Sequence, residues 1–250
     1  MKKILSVILL SVLPVMGMAA GGAAIPLEKA NYDLSDQESL QRGAKYFVNY
    51  CMGCHSAKYV RYNKVAEATG LTDQEVLDNF MFSENKKIGN QMISAIDSND
   101  ASRWFGTAIP DLTLTARLKH GGGDWVYSYL KGFYLDDSRP TGVNNIVFPD
   151  VGMPHVLVGL QGTQKANFKV TTDAEGNEHK TFESFEQVSA GSMTAEEYDA
   201  MATDLTNFMV WASEPMKLER QRLGVWVLLF LAVLFVLAYM LKKEYWKDIH

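Results

Sequence analysis

The feature that most constrains this chain is the run Cys51-Met52-Gly53-Cys54-His55, in which a histidine directly follows two cysteines that are two residues apart. This CxxCH pattern is typical of covalent c-type haem attachment, where each thiol adds to one haem vinyl group and the histidine reaches the iron. A redox dithiol would not need the histidine. A structural zinc site takes four ligands, and the chain has only these two cysteines. We therefore predict one haem c, bound through Cys51 and Cys54, with His55 as an iron ligand.

The N-terminus has the pattern of a secretory signal peptide. Lys2 and Lys3 precede an apolar run over residues 4–15, and small residues follow up to Ala20. We predict that residues 1–20 are removed on export, which takes the formal net charge from −5 to about −7. Such an acidic protein is a poor match for nucleic acid, so we expect no nucleic-acid partner. A basic protein partner suits it better.

Near the other end, residues 223–241 form an uncharged apolar run of 19 residues. As a helix it would be about 28 Å long, enough to cross the hydrocarbon core of a membrane. Trp226 and Tyr239 lie near its ends, as interfacial anchors do. A buried core helix, the alternative, would carry polar residues on one face. The signal peptide fixes the predicted orientation: residues 21–216 lie outside the membrane in the periplasm, and residues 242–250 form a cytoplasmic tail.

Two helices are predicted to frame the haem domain. Residues 35–38 have the capping-box pattern, and the helix that follows places Gly43, Phe47 and Cys51 on one face, where a partner helix can approach the glycine. A second capping box begins at Thr194. Paired helices around a haem are typical of small cytochromes c, although periodicity alone does not exclude two unrelated surface helices. We predict a mainly α fold, a class I cytochrome c-like haem domain with loop and hairpin insertions and one C-terminal transmembrane helix.

The sequence between these helices predicts several smaller elements. They are a short helix over residues 71–82 with Thr72 as N-cap, a polar loop over 83–102, helical segments over 114–119 and, capped by Asp124, over 125–132, and a β-hairpin over 163–188. We expect the hairpin to have an architectural role.

A low-spin electron carrier needs a sixth iron ligand, and a thioether opposite histidine raises the reduction potential. Met153 stands in a turn-rich segment over residues 149–155, where a loop can present a side chain freely. Met201 and Met209 fall in a helical pattern and fit the usual role of methionine in a core. We therefore predict Met153 as the ligand, with His155 as its rival.

Four further residues are expected around the haem. The carbonyl oxygen of Pro110 can accept a hydrogen bond from Nδ1 of His55 and so fix the ring, as partners of ligand histidines do. Arg117, Lys119 and Trp125 are expected donors to the haem propionates, which need charged or hydrogen-bonding partners. For Arg117 and Lys119 the alternative is an ordinary solvated face.

The order of these features resembles the cytochrome c1 family, the haem-bearing subunit of ubiquinol–cytochrome c oxidoreductase, also called the cytochrome bc1 complex or complex III. CxxCH alone would indicate only a large class of proteins. The later segments narrow this class to the one family. The segments that carry the resemblance are residues 51–55, 108–112, 116–122 with 125–127, 140–143, 152–154 and 211–215, followed by the apolar run.

The resemblance implies His55 and Met153 as axial ligands and the region around Arg117 as the propionate environment. It also implies a bacterial inner-membrane protein that packs beside cytochrome b, contacts lipid, receives electrons from a Rieske iron-sulfur protein and passes them to a cytochrome c. The chain departs from many relatives in one respect, because Pro154 is followed by His155 instead of a proline-rich run.

These features predict a one-electron relay with no substrate chemistry of its own. One alternative is a membrane-anchored cytochrome c subunit of a terminal oxidase, whose complex would contain copper and high-spin haem instead of a Rieske protein. Another is a haem sensor or peroxidase-like enzyme, which would need an open sixth position on the iron. The position of Met153 argues against the latter.

Overall fold

The computed structural model describes residues 25–172 and 178–248, so the predicted signal peptide lies outside the described residues. In chain order the elements are α1 (Gln37–Tyr46), a π-helical turn (Phe47–Cys51), β1 (Ala57–Arg61), α2 (Tyr62–Thr69), α3 (Asp73–Asn79), β2 (Gln91–Met92), α4 (Ser98–Phe105), α5 (Thr115–Leu118), α6 (Gly123–Lys131), β3 (Phe133–Leu135), β4 (Val143–Asn145), α7 (Val158–Gln161), β5 (Gly162–Thr172), β6 (Glu178–Ala190), α8 (Ala195–Ser213) and α9 (Lys217–Tyr245). Helices hold about half of these residues, which agrees with the predicted mainly α class. The finer class I topology stays a prediction.

The core is organised around the contact between α1 and α8. A Cβ atom on Gly43 would lie 2.1 Å from the backbone oxygen of Asp204, so the two helix backbones touch at this point. One turn further, the rings of Phe47 and Phe208 pack with centroids 5.3 Å apart, and both side chains are fully buried. Arg42 adds two hydrogen bonds to the carboxylate of Asp204, at 2.6 and 3.0 Å. The close approach expected at Gly43 is therefore present.

The start of α1 differs from the prediction. Asp36 is the N-cap, and its carboxylate accepts a hydrogen bond from the backbone N–H of Ser39. The hydroxyl of Ser35 instead donates to the carboxylate of Asp33 at 2.7 Å, which removes it from the capping role. The capping box predicted over residues 35–38 is wrong, because Asp36 caps as well as serine does and Ser35 is already engaged.

The N-caps predicted for α3 and α8 are confirmed. Thr194 and Glu197 form a complete capping box at the start of α8, with each side chain bonded to the other residue's backbone N–H. Thr72 is the N-cap of α3 and forms the same arrangement with Glu75. At each start, two backbone N–H groups thus gain a side-chain partner within the local sequence.

The polar stretch over residues 83–102 is more ordered than the predicted loop. It contains β2, which pairs antiparallel with β1, and the start of α4. Asp97 caps α4 by accepting hydrogen bonds from the backbone N–H groups of Asn99 and Asp100. Ala101 is the one residue of α4 that is buried, whereas Trp104 and Phe105, which share its face, are exposed.

The cap predicted for α6 is also wrong. Gly122 is the N-cap, with a φ of 59° that favours glycine. Asp124 lies in the first turn, and its carboxylate binds the N-terminal segment through Lys29 Nζ at 2.6 Å and the backbone N–H of Ala30 at 3.1 Å. The carboxylate therefore joins two segments of the chain instead of closing the helix start.

The predicted hairpin is present as β5 and β6, which pair antiparallel from Gly162 opposite Ala190 to Thr172 opposite Glu178. Residues 173–177, between the two strands, lie outside the described part of the chain. The predicted apolar run 223–241 falls within α9, which is long and apolar enough to cross a membrane and has no buried residue. It is a candidate membrane span.

Candidate functional site

The CxxCH motif lies where α1 gives way to the π-helical turn. Met52 donates its backbone N–H to Phe47 at 2.9 Å, and His55 donates its backbone N–H to Cys51 at 2.8 Å, which folds the motif back on the helix end. Cys51 is buried against the core, whereas Cys54 is partly exposed, and neither is in a disulfide. Burial, with a smaller effect of the neighbouring Cys54, raises the pKa of the Cys51 thiol to about 12. This environment suits an uncharged sulfur, as in a thioether.

The ring of His55 is fixed from one side. Its Nδ1 lies 2.7 Å from the carbonyl oxygen of Pro110, the contact expected from the sequence. Because a carbonyl can only accept, Nδ1 carries the hydrogen and Nε2 keeps a free lone pair. Burial lowers the pKa of His55, against smaller opposing effects of Pro110 and Asp111. The ring is therefore neutral at neutral pH, as a metal ligand must be.

Short hydrogen bonds fasten the segment that carries Pro110. Leu112 donates its backbone N–H to the backbone oxygen of Ser56 at 2.8 Å. The carboxylate of Asp111 accepts from the backbone N–H groups of Lys58 at 2.9 Å and Thr113 at 3.0 Å. These bonds tie the segment to the chain just after His55, so the Pro110 carbonyl is held at the imidazole.

Met153 contacts an aromatic face of α6. The hydroxyl of Tyr129 donates a hydrogen bond to Met153 Sδ at 3.3 Å. The ring of Tyr129 stacks on Trp125 with centroids 5.0 Å apart and planes inclined by 11°. Burial raises the pKa of Tyr129 well above its usual value, so its hydroxyl is a donor at neutral pH.

The loop before Met153 is fixed at Asp150, whose φ of 61° is unusual for a residue other than glycine. Arg139 donates to its carboxylate at 2.8 Å and to its backbone oxygen at 3.0 Å. The backbone N–H of Asp150 donates to the side-chain oxygen of Asn144 at 2.8 Å. The conformation of the Met153 loop is thus set by residues before β4 and within it.

His155, the rival ligand, has a different environment. Its ring is buried and lies flat on Phe133, with centroids 4.8 Å apart and planes inclined by 5°. Within the described residues, no group meets its ring nitrogens in hydrogen-bonding geometry. Burial lowers the pKa of His155 to about 4, against a smaller effect of Gln161. Its packing resembles that of an apolar side chain, which favours Met153 as the ligand.

The three expected propionate donors are arranged unequally. Lys119 Nζ lies 4.5 Å from the centroid of the Trp125 ring and 4.7 Å from that of Phe148, so Lys119 and Trp125 are brought together beside Tyr129. Arg117 is exposed in the last turn of α5. Its role at the haem stays a prediction.

Helix α6 is joined to α8 by buried and partly buried polar contacts. The hydroxyl of Tyr198 donates to the backbone oxygen of Leu130 at 2.9 Å. Lys131 Nζ lies 2.6 Å from the carboxylate of Asp199, which also accepts a hydrogen bond from the hydroxyl of Tyr127. Burial alone would raise the pKa of Asp199, but these two donors outweigh it and hold that pKa below its usual value.

The sequence matches the model of the Cytochrome C1 family over residues 28–249. This chain belongs to the cytochrome c1 family. It is 50% identical to cytochrome c1 of Allochromatium vinosum over 250 residues, which cover 100% of both chains. It is 42% identical over 231 residues to the ammonia monooxygenase gamma subunit of Nitrosomonas europaea, covering 92% of each chain. It is also 25% identical over 244 residues to cytochrome b/c1 of Bradyrhizobium diazoefficiens, covering 86% of this chain and 34% of that protein.

A cytochrome c1 implies a c-type haem, and the residues present fit one. The hydrogen bond from Nδ1 of His55 to Pro110 leaves Nε2 free for a metal. The sulfur of Met153 is a soft ligand, and it accepts only one hydrogen bond among the described residues. Nitrogen from histidine and sulfur from methionine are the axial pair of high-potential cytochromes.

Tyr129, whose hydroxyl contacts the sulfur of Met153, was not singled out from the sequence. The Tyr129 ring contacts both Trp125 and Phe133, at 5.0 Å and 5.2 Å between centroids. Trp125 and Tyr129 are four residues apart in α6, which places them on one face of that helix. The aromatic content of this segment was visible, but its contact with Met153 was not.

Proposed function

We propose that this chain is the haem-bearing electron-transfer subunit of a bacterial cytochrome bc1 complex. The observation that carries the proposal is the 2.7 Å contact between Nδ1 of His55 and the Pro110 carbonyl, in a chain of the cytochrome c1 family. This contact fixes the histidine of CxxCH in the one tautomer that offers Nε2 to iron. A peroxidase or sensor would leave the opposite face open, whereas here a thioether loop is held in place on α6.

In this proposal each residue has a defined role. Cys51 and Cys54 would form the two thioether links to one haem, and His55 and Met153 would bind its iron. When bound, the haem supplies a one-electron redox couple. Arg117, Lys119 and Trp125 hold the propionates: the two cations by charge, and the indole by donating its N–H.

The membrane arrangement belongs to the same proposal. Residues 1–20 direct export, residues 21–216 form the periplasmic haem domain, α9 crosses the inner membrane, and residues 242–250 remain in the cytoplasm. Helix α9 contacts lipid and cytochrome b. Its apolar surface, which has no buried residue, supports this role. A Rieske iron-sulfur protein is the electron donor, and a cytochrome c is the acceptor. The name of the Bradyrhizobium relative, cytochrome b/c1, supports the partnership with cytochrome b.

The proposal is tested by extracting the full-length protein from membranes in mild detergent. We expect a low-spin reduced-minus-oxidised spectrum and co-purification of cytochrome b and a Rieske protein. Copper and high-spin haem in the purified complex would instead indicate a subunit of a terminal oxidase. Subunits of a monooxygenase would favour the role named for the Nitrosomonas relative.

Covalent attachment is tested separately on denaturing gels stained for haem. The wild-type band should stain, and the double variant Cys51→Ser/Cys54→Ser should not. A matched single variant of the motif spacer, Met52→Leu, should stain as the wild type does. Staining of the double variant would contradict haem attachment at this motif.

A further inference from the structure

We propose that Tyr129 sets the reduction potential of this cytochrome by donating a hydrogen bond to the sulfur of its sixth ligand, Met153. This inference rests on the proposed function, because it needs Met153 on the iron. The hydroxyl oxygen of Tyr129 lies 3.3 Å from Met153 Sδ. A thioether sulfur is a weak acceptor with two lone pairs, so it can bind a metal through one and accept this bond through the other.

The hydroxyl is held in place by the surroundings of its ring. Trp125 stacks on one side of the Tyr129 ring at 5.0 Å, and Phe133 meets it edge-on at 5.2 Å with planes inclined by 71°. The backbone oxygen of Tyr129 accepts a hydrogen bond from the side-chain amide of Asn145 at 2.8 Å, and Asn145 is fully buried. Backbone and ring are therefore both fixed, and the hydroxyl has little freedom to leave the sulfur.

The direction of the effect follows from the chemistry of the donor atom. A thioether that accepts a hydrogen bond has less electron density to donate to iron. The oxidised metal carries one more positive charge and depends on that donation more strongly than the reduced metal does. The hydrogen bond therefore disfavours the oxidised state and raises the potential, as hydrogen bonding around metal ligands does elsewhere.

The chain contains a matched control. The hydroxyl of Tyr62 donates to Met52 Sδ at the same distance, 3.3 Å, and the Tyr62 side chain is buried. Met52 is the spacer residue of CxxCH and cannot reach the face opposite His55. Tyr62→Phe thus removes the same kind of bond, from the same kind of sulfur, without touching the proposed ligand.

The test is a redox titration of full-length protein in detergent for wild type, Tyr129→Phe and Tyr62→Phe. We expect Tyr129→Phe to lower the midpoint potential by about 28 mV or more, which is a threefold change in the equilibrium constant at 59 mV per tenfold for one electron. Tyr62→Phe should leave it unchanged, and the thermal unfolding midpoint of Tyr129→Phe should fall no further than that of Tyr62→Phe.

An unchanged potential in Tyr129→Phe would overturn the inference, as would an equal shift in both variants, which would indicate general loosening. The wild-type spectrum separates this failure from failure of the proposed function. If the wild type is low-spin with methionine on the iron and Tyr129→Phe has no effect, only the inference is wrong. A wild type without methionine ligation would overturn both.

Discussion

The contact between α1 and α8 is built differently from the loops that carry Pro110 and Met153. Between the helices, Gly43 lets the backbones touch and Phe47 packs against Phe208, so many atoms share the contact. In the loops, individual hydrogen bonds hold the functional groups, such as the one from His55 to Pro110 and the one from Tyr129 to Met153. We infer that close packing between the helices determines the stability of the domain, whereas these single bonds orient the two proposed iron ligands.

The two kinds of contact should respond differently to amino-acid substitution. A tightly packed helix contact tolerates little change in volume, because a protein interior has few voids to absorb it. A ligand held by one hydrogen bond can lose that bond with little change in packing. We therefore expect substitutions between the helices to act mainly on stability, and substitutions in the loops to act mainly on the potential.

Gly43→Ala should have the largest effect on stability. Its new Cβ would lie 2.1 Å from the backbone oxygen of Asp204 and 2.8 Å from Cβ of Phe208, so the helices must separate. Overpacking of this kind costs about 3 kcal/mol, which lowers the thermal unfolding midpoint by about 6 °C or more. Gly89→Ala is the control, since a Cβ there would meet nothing within 4 Å. Equal midpoints for the two variants would mean that this helix contact is not tightly packed.

Tyr198→Phe should have an intermediate effect on stability, because it removes a hydrogen bond between α8 and α6, the helix that contacts Met153. The substitution removes the hydroxyl that donates to the buried backbone oxygen of Leu130. Losing one such bond costs about 1 kcal/mol, or about 2–4 °C in the unfolding midpoint. Tyr59→Phe, at an exposed position, should cause no change. If Tyr198→Phe shifted the reduction potential more than Tyr129→Phe does, contacts between the helices would not act mainly on stability.

Asp199→Asn should have the smallest effect on stability, and this effect should depend on pH. The folded-state pKa of Asp199 lies below its usual value, so the carboxylate stabilises the fold above its unfolded pKa and loses this contribution as the pH falls through the folded one. Its side chain is 47% exposed, so the contribution at pH 7 is about 0.5 kcal/mol or less. Unfolding midpoints of wild type and Asp199→Asn should differ at pH 7 and converge in acid. A difference that grew on acidification would contradict this, and the exposed Asp137→Asn is the control.

Much of the fold could be predicted because its signals are local. The CxxCH motif, the capping box at Thr194, the hairpin and the apolar run 223–241 each lie within a short stretch, and the structure has the expected helix, hairpin or long apolar helix at the last three. Gly43 was also informative, because a glycine on a helix face that carries a large aromatic residue one turn later marks a close approach.

The features that the sequence did not predict depend on competition between neighbouring polar side chains, or on contacts between residues that are far apart in the chain. Ser35 lost the capping role to Asp36 because Asp33 engaged its hydroxyl, a choice between three adjacent polar residues. Asp124 binds Lys29, which is 95 residues away, so no local pattern revealed its partner.

The contact of Tyr129 with Met153 was not predictable for the same reason. The two residues are 24 apart, and β3 and β4 lie between them in the chain. Helix α4 presented the opposite difficulty, since its cap at Asp97 is local but the short helix buries only Ala101.

The pairing of His55 with Met153 can be decided by redox titration and optical spectra of Met153→Leu beside His155→Leu. Met153→Leu should lose the low-spin spectrum and the high potential, because leucine has no atom to bind iron. His155→Leu should keep both, because the His155 ring packs flat against Phe133 and we propose no contact between it and the iron. If Met153→Leu kept the wild-type spectrum and potential while His155→Leu lost them, the sixth ligand would be His155 and the proposed site would be wrong.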